Sequence, residues 1–306
     1  MKNAYLAICY ICNENCRFCP CSKNEKIKKV ITGFSELKDT VDAMNESGIT
    51  DITISGGEPT LHPNLIELIK YIQRLHINVT LLSKSERFAN KDFINDFINN
   101  IDVKSLKVIT TLHSHKCNEH EAANQTLGSF RKSIDGLLNL SANNIRVIIK
   151  HCITKANYKD LCEFYEFCDS TFKYDADIQL CSIDYCGIPS EKMQEEKLLF
   201  TDLRPHLEKL FDLHIEKKKN GICRSLYCIN MPLCSCDVYY WNYIPRRRDK
   251  MYNQYKDPHS KNLVDVSNNV GIHQDYCADC KVVALCNGTY FTAYETFGAE
   301  IIQPYT

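Results

Sequence analysis

Residues 4–19 read AYLAICYICNENCRFC, a short apolar run that passes straight into Cys12, Cys16 and Cys19. The run Ala4–Tyr10 has the length and character of a buried strand, and it is the first of six. Asp51–Ser55, Asn78–Ser83, Leu106–Leu112, Ile145–Cys152 and Ala176–Ile183 are the others. Amphipathic stretches alternate with them. Phe34, Leu37, Val41 and Met44 recur at helical spacing in Phe34–Ser47, as do Leu65, Leu68, Ile69 and Ile72 in Pro63–Leu75. Pro63 stands where a first helical turn accepts proline. Further helices are predicted near Asp92–Asn99, at Gly128–Leu140 and at Tyr158–Cys168. Six β-then-α units predict an α/β fold, a parallel sheet with helices packed outside it. Ligands of such folds gather at the carboxyl ends of the strands, where the cysteine run falls.

The 306 residues suit roughly two domains. With 37 basic and 38 acidic side chains, the formal charge of −1 argues against a dedicated nucleic-acid binder. No stretch reaches the ~18 apolar residues that span a bilayer, and no secretory cleavage site follows the first apolar run. Against this ordinary background stand 18 cysteines. A chain of this length needs no covalent staples. A cytoplasmic location with reduced thiols is expected, where excess cysteine means metal or catalysis.

Cys12, Cys16 and Cys19 form CX3CX2C directly after the first strand. Three thiolates on a short loop can hold three irons of a [4Fe–4S] cube and leave the fourth iron open for a small molecule. Zinc with Cys9 or Cys21 as fourth ligand is the alternative, and three buried small hydrophobes the bland one. Ser55-Gly56-Gly57-Glu58-Pro59-Thr60 follows the second strand, at the same end of the sheet. Gly56 and Gly57 let the backbone approach a ligand closely. Glu58 can accept hydrogen bonds from a ligand ammonium, and Pro59 stiffens the exit.

The two motifs together resemble the radical SAM superfamily. Cys12, Cys16 and Cys19, with Phe18 before the last, match its CX3CXΦC signature, and Gly56–Pro59 its GGE motif. The resemblance covers roughly residues 4–185 and implies a partial (β/α)6 TIM-type barrel. It implies S-adenosylmethionine (SAM) and a [4Fe–4S] cluster as cofactors, with Gly56, Gly57, Glu58 and Pro59 at the SAM amino group. It also implies Ser83 and Thr111 near the SAM carboxylate and ribose. The chain departs from the pattern at Lys84-Ser85, where Asn-Gly is usual, and at His113, where Asp is frequent. Lys150, at the end of strand 5, is a candidate partner for a carboxylate of cofactor or substrate. His113, His115 and His120 cluster after strand 4, where exposed or core histidines are the default reading.

After about residue 200 the alternation stops. Leu199–Lys219 is predicted helical, ending in Lys217–Lys219 and Asn220-Gly221. The expected organisation is a core over residues 1–200 and a small cysteine-rich iron–sulfur domain over 201–306. Cys277, Cys280 and Cys286 give CX2CX5C, and Cys234 completes four thiolates, enough for a cube or for zinc. This segment resembles the SPASM/twitch extension of radical SAM enzymes, which implies an auxiliary [4Fe–4S] cluster. No CX3C follows Cys286, so one auxiliary cluster is expected rather than two. Cys223, Cys228 and Cys236 remain candidates for an alternative ligand or an active-site hydrogen-atom donor, with Cys223 the catalytic candidate. Cys117, Cys152, Cys162, Cys168, Cys181 and Cys186 occur singly and read as buried small hydrophobes, and Arg246–Arg248 of the basic loop Arg246–Lys250 as a solvated face, with contact to an acidic peptide the alternative.

The expected function is reductive cleavage of SAM to a 5′-deoxyadenosyl radical that abstracts a hydrogen atom. A ribosomally made peptide is the favoured substrate, a small molecule undergoing oxidation or rearrangement the alternative. The rival class is a non-catalytic zinc or iron–sulfur module. A reductase or flavodoxin-type electron donor is the expected partner, with no nucleic acid and no membrane.

Overall fold

The computed structural model describes residues 2–19, 29–172, 176–221, 224–246, 252–260, 262–266 and 273–306. Six parallel strands lie side by side in chain order: β1 (Asn3–Cys9), β2 (Asp51–Gly56), β3 (Asn78–Ser83), β4 (Leu106–Thr111), β5 (Arg146–Ile153) and β6 (Ala176–Ser182). Between them run α1 (Phe34–Glu46), α2 (Leu65–Arg74), α3 (Lys91–Asn100), α4 (Cys117–Asn124), α5 (Ser129–Ala142) and α6 (Leu161–Phe172). The helical stripes read from the sequence face the sheet. Leu37, Val41 and Met44 of α1 and Leu65, Leu68, Ile69 and Ile72 of α2 are buried, as are Leu6, Ile8, Ile52, Ile54, Val79 and Leu81 of the strands. Each such side chain contributes about 1.5–3 kcal/mol on burial.

Two helix starts differ from expectation, each for a local reason. The His62 ring accepts a hydrogen bond from Asn64 N at 3.1 Å, which delays α2 to Leu65. The Asn157 side chain accepts from Thr154 N at 2.7 Å, so turns occupy the chain up to the start of α6 at Leu161. Helix α4 carries no apolar stripe in the sequence, since the residues it buries are His120 and Asn124.

The chain beyond residue 200 also differs from expectation, because strand pairing continues there. Helix α7 (Phe200–Lys219) forms as predicted. Strand β7 (Leu226–Ile229) then pairs parallel with β6, while β8 (Gln254–Lys256) pairs parallel with β1 and carries the antiparallel β9 (Val264–Asp265). Helix α8 (Phe291–Phe297) follows. The sheet order is therefore β7-β6-β5-β4-β3-β2-β1-β8-β9, open rather than closed between β1 and β6. The carboxyl ends of β1 to β6 form one rim, on which the motif residues fall. No helix among the described residues is long and apolar enough to cross a membrane.

Candidate active site

The loop after β1 carries Cys12, Cys16 and Cys19, and backbone hydrogen bonds fix it from two sides. Helix α4 supplies carbonyls: Asn15 N donates to Asn124 O at 3.0 Å and Arg17 N to Ala123 O at 2.9 Å. The turn after β2 supplies donors: Gly57 N reaches Cys9 O at 2.8 Å and Glu58 N reaches Ile11 O at 2.7 Å. That close approach requires the glycines. A Cβ on Gly56, whose φ is +137°, would stand 1.9 Å from Cys9 O, and one on Gly57 2.2 Å from Ile11 O.

Glu58 is buried and ties β2 to β3. Its Oε1 accepts from Thr60 N at 3.0 Å, Thr60 Oγ1 at 2.5 Å and Ser83 Oγ at 2.8 Å, and its Oε2 from Lys84 N at 2.7 Å. Pro59 opens the short 3-10 turn Pro59–Leu61 that presents those Thr60 donors. The Ser83 hydroxyl thus serves the Glu58 carboxylate, and it also accepts from Ser85 N at 3.1 Å.

These groups line a cavity of about 260 Å³. Its near wall holds Cys12, Cys16, Cys19, Gly56, Gly57 and Glu58, with Ser83 and Thr111 beside them. Its far wall holds Lys150, Cys152, Cys181, Asp184 and Tyr290. A second cavity of about 320 Å³ shares Cys16, Phe18, His113 and Cys152 with it. Burial pushes the Cys12 thiol up to about 11 and the Cys16 thiol to about 12, so both are protonated until a metal displaces the proton. At the far wall, the neighbouring Cys181 raises the pKa of the Lys150 ammonium, against the effect of burial.

Glu14, Cys16 and His113 place one ligand atom each within 4.8 Å of the others. A cation already stands among them. Lys84 Nζ lies 3.0 Å from Glu14 Oε2 and 3.4 Å from Cys16 Sγ. Burial alone would raise the Glu14 carboxyl, but the Lys84 ammonium overrides it and holds the pKa low. His113 Nε2 is 3.9 Å from the same sulfur, and burial keeps its ring well below the ordinary histidine range. Its Nδ1 is buried without a hydrogen-bond partner among the described residues.

The C-terminal cysteines converge on a separate site. Cys234, Cys277, Cys280 and Cys286 line one small enclosed cavity together with Tyr294 and His273. Leu233 N and Gly288 N both donate to Cys286 Sγ at 3.3 Å, which favours its thiolate but does not outweigh burial. Burial raises the thiols of Cys234, to about 12, and of Cys277 and Cys286. Among the described residues no three of these sulfurs, nor those of Cys12, Cys16 and Cys19, lie together within 4.8 Å.

The remaining sequence candidates separate. Cys223 and Cys21 lie outside the described residues, as do residues 247–250 of the basic loop. Cys228, Cys236 and Cys9 are fully buried in the hydrophobic core, and Cys9 donates to Glu58 O at 3.8 Å. Among the single cysteines Cys168 is core, but Cys117 and Cys186 are exposed, and Cys152 and Cys181 line the cavity. The expectation of burial is thus corrected at Cys117 and Cys186, while Cys152 of β5 and Cys181 of β6 are buried as expected but at the cavity wall, and Cys162 packs half-buried against the core. His120 is buried too, accepting from His113 N at 3.2 Å. Glu14, Asp184 and Tyr290 join the cavity lining without being a fixed position of either sequence motif. An acid inside the CX3C spacer and the Asn-Gly-Thr-Tyr that follows Cys286 were the available signals.

The family model of the radical SAM superfamily matches residues 6–168, more than half of the chain. The chain belongs to that superfamily, whose enzymes use SAM and a [4Fe–4S] cluster. Among curated relatives, the GTP 3′,8-cyclase of Campylobacter jejuni is 32% identical over 131 residues, 42% of this chain and 41% of the relative. The sporulation killing factor maturation protein SkfB of Bacillus subtilis is 23% identical over 157 residues, 51% of this chain and 37% of the relative. The mycofactocin maturase MftC of Mycobacterium tuberculosis is 27% identical over 160 residues, 51% and 38%. The match thus spans about two fifths of the length of these relatives. Among solved structures, Streptococcus suis SuiB bound to SAM superposes with a TM-score of 0.69 at 12% identity, covering 99% of this chain and 76% of that one. The structure of anSMEcpe with AdoMet and a peptide gives 0.64 at 17% identity, covering 100% and 93%. At these identities the likeness is one of fold.

Proposed function

We propose that this chain is a peptide-modifying radical SAM enzyme with a twitch-type auxiliary cluster. The observation that carries the proposal is the continuity of one cavity. The cysteine loop and the GGE turn form one wall, and Lys150, Cys181, Asp184 and Tyr290 form the other. Cys12, Cys16 and Cys19 are assigned to the first cluster and Gly56–Pro59 to the SAM amino group. When bound, cluster and cofactor supply an electron and a 5′-deoxyadenosyl radical that removes a substrate hydrogen atom. The protein's part is to hold both dry and in line.

The glycines bring the β2 turn against the cysteine loop, and Glu58 spans β2 and β3 with one carboxylate. Thr111 stands on the same rim, as the resemblance expects of a cofactor contact. Lys150 is the anion-binding group of the far wall, toward substrate.

Peptide is favoured over small molecule because the fold likeness to SuiB and anSMEcpe extends over the whole chain, beyond the superfamily core. SuiB has been solved with its precursor peptide SuiA, and two of the curated relatives are named for maturation. Cys234, Cys277, Cys280 and Cys286 are assigned to the auxiliary [4Fe–4S] cluster. Four thiolates would satisfy zinc equally, and the resemblance to the SPASM/twitch extension is what favours the cube. A cytoplasmic setting with a reductase or flavodoxin-type donor completes the reading.

The test is anaerobic reconstitution followed by incubation with SAM, reductant and short peptides encoded beside the gene. Release of 5′-deoxyadenosine with a mass change on one peptide is expected. The similarity to the GTP 3′,8-cyclase supports a second reading, a phosphorylated small molecule held by Lys150. Turnover stimulated by a nucleoside triphosphate and by no peptide would establish it instead. Absence of SAM cleavage sinks both.

A further inference from the structure

At the position where the superfamily pattern has Asn-Gly, this chain has Lys84-Ser85, and the structure gives the replacement a geometry of its own. Ser85 takes the left-handed conformation that glycine would take freely, with φ +61°. Three contacts hold it there: the single Ser85 Oγ proton is shared between Lys84 O at 2.6 Å and Ser133 O at 3.1 Å, and Thr110 Oγ1 donates to Ser85 Oγ at 3.0 Å. A non-glycine residue in this region persists only when its surroundings over-determine it. The turn aims the Lys84 side chain along the rim at the cysteine loop. Its ammonium ends 3.4 Å from Cys16 Sγ and 3.0 Å from Glu14 Oε2. Glu14 itself is fixed from behind, since Asn124 Nδ2 of α4 donates to its Oε1 at 2.8 Å. The Lys84 side chain is 18% exposed and that of Glu14 1%, so neither charge is well screened by water.

We propose that the Lys84 ammonium, anchored by Glu14, is a built-in cation that donates to the Cys16 sulfur of the first cluster and sets its reduction potential. The inference rests on the assignment of Cys12, Cys16 and Cys19 as cluster ligands. Reduction adds one electron and no proton, so the reduced cluster is one unit more negative than the oxidised one. A cation beside a ligand sulfur stabilises the reduced form and raises the potential, and a carboxylate beside it does the reverse. Hydrogen bonds to cluster sulfurs and local charge are among the levers that set such potentials. Lys84 and Glu14 therefore pull in opposite directions on the same sulfur.

The experiment is an anaerobic redox titration of the reconstituted protein without substrate, following the reduced cluster by electron paramagnetic resonance. The Cys277→Ala/Cys280→Ala background removes the other proposed cluster from the signal. Lys84→Met is expected to make the cluster at least tenfold harder to reduce, a fall of about 59 mV for one electron. Lys84→Arg keeps the cation and stays within twofold of the parent. Glu14→Gln keeps an amide oxygen to accept from the Lys84 ammonium while removing the carboxylate charge, so it moves the potential the opposite way and makes reduction easier. A role limited to packing would not give shifts of opposite sign. Potentials within twofold of the parent for both Lys84→Met and Glu14→Gln, or shifts of the same sign, overturn the proposal. If one of these two variants fails to retain iron, the sign of the other decides. A parent protein that holds no iron at this site refutes the ligand assignment itself, which is a distinct result.

Discussion

Gly57→Ala is the sharpest test of how the cysteine loop is held. The added Cβ would lie 2.2 Å from Ile11 O and 2.6 Å from Tyr10 O, where Cβ contacts stop near 3.0 Å. Both obstacles are backbone, so no rotamer change relieves them, and the loop must retreat by about 0.8 Å at Ile11. Ile11 precedes Cys12, and its carbonyl accepts the 2.7 Å hydrogen bond from Glu58 N. Overpacking of this kind costs about 1–3 kcal/mol, and loss of the hydrogen bond adds about 1 kcal/mol. The variant should therefore unfold at lower urea and retain less iron after anaerobic reconstitution. Gly33→Ser is the control. Gly33 caps α1 at φ −65° with open space around the site, and serine is a good N-cap, so neither measurement should move. A Gly57→Ala protein with the parent's urea midpoint and full iron would refute the reasoning, because the turn would then not be pressed against the loop.

Three other outcomes follow from the same geometry. Cys277→Ala/Cys280→Ala should lower the iron of the loaded protein from about eight to about four per chain, the content of one [4Fe–4S] cluster. Unchanged iron would mean that other residues bind it. Burial lowers His151 to about 4, and its Nδ1 pairs with Leu112 O at 2.9 Å. The unfolded chain binds the proton more tightly, so stability present above pH ~6.5 falls by up to about 3 kcal/mol as pH drops toward 4. In His151→Leu the urea midpoint should be lower at pH 7 yet fall less between pH 7 and pH 5; parallel pH profiles would count against this. Glu58→Gln should weaken SAM binding and lower stability by about 1.5–3 kcal/mol, since an amide NH2 must face either Lys84 N or the three donors on Oε1. Equilibrium dialysis with SAM and urea titration read the two effects, and a variant normal in both would remove Glu58 from the site.

The six β-then-α units were legible because each strand is a short run rich in apolar and β-branched residues and the helices between them carry stripes with period 3.6. Helix α4 was not, because the residues it buries are His120 and Asn124 rather than an apolar stripe. Those two polar side chains work for the site: Asn124 holds Glu14, and His120 accepts from His113 N. Strands β7, β8 and β9 have four, three and two residues, too short for a period to show, and their pairing is decided by the open edges of β6 and β1. The Lys84–Glu14 contact joins residues 70 apart, which no local pattern reveals. Cys181 could not be told from core filler, since residues on both faces of β6 are buried.

The chain after residue 200 bears on the cavity itself, through two short segments. Asn230 follows β7, and its carbonyl accepts from Ser182 Oγ and, at 2.9 Å, from Thr289 Oγ1. Its amide donates to Tyr290 Oη at 2.6 Å and to Cys181 Sγ at 3.6 Å. Tyr290, Ser182 and Cys181 line the cavity. Asn230 lies four residues before Cys234, and Tyr290 four residues after Cys286. The segments that carry two of the four C-terminal thiols therefore also build the cavity wall farthest from the GGE turn. A change in how those thiols are held reaches the far wall through Asn230 and Tyr290, whereas the near wall rests on Glu58, Gly57 and α4. Loss of the proposed C-terminal cluster should consequently disturb substrate turnover more than SAM binding, and the hydrogen bond between Asn230 and Tyr290 joins the two segments.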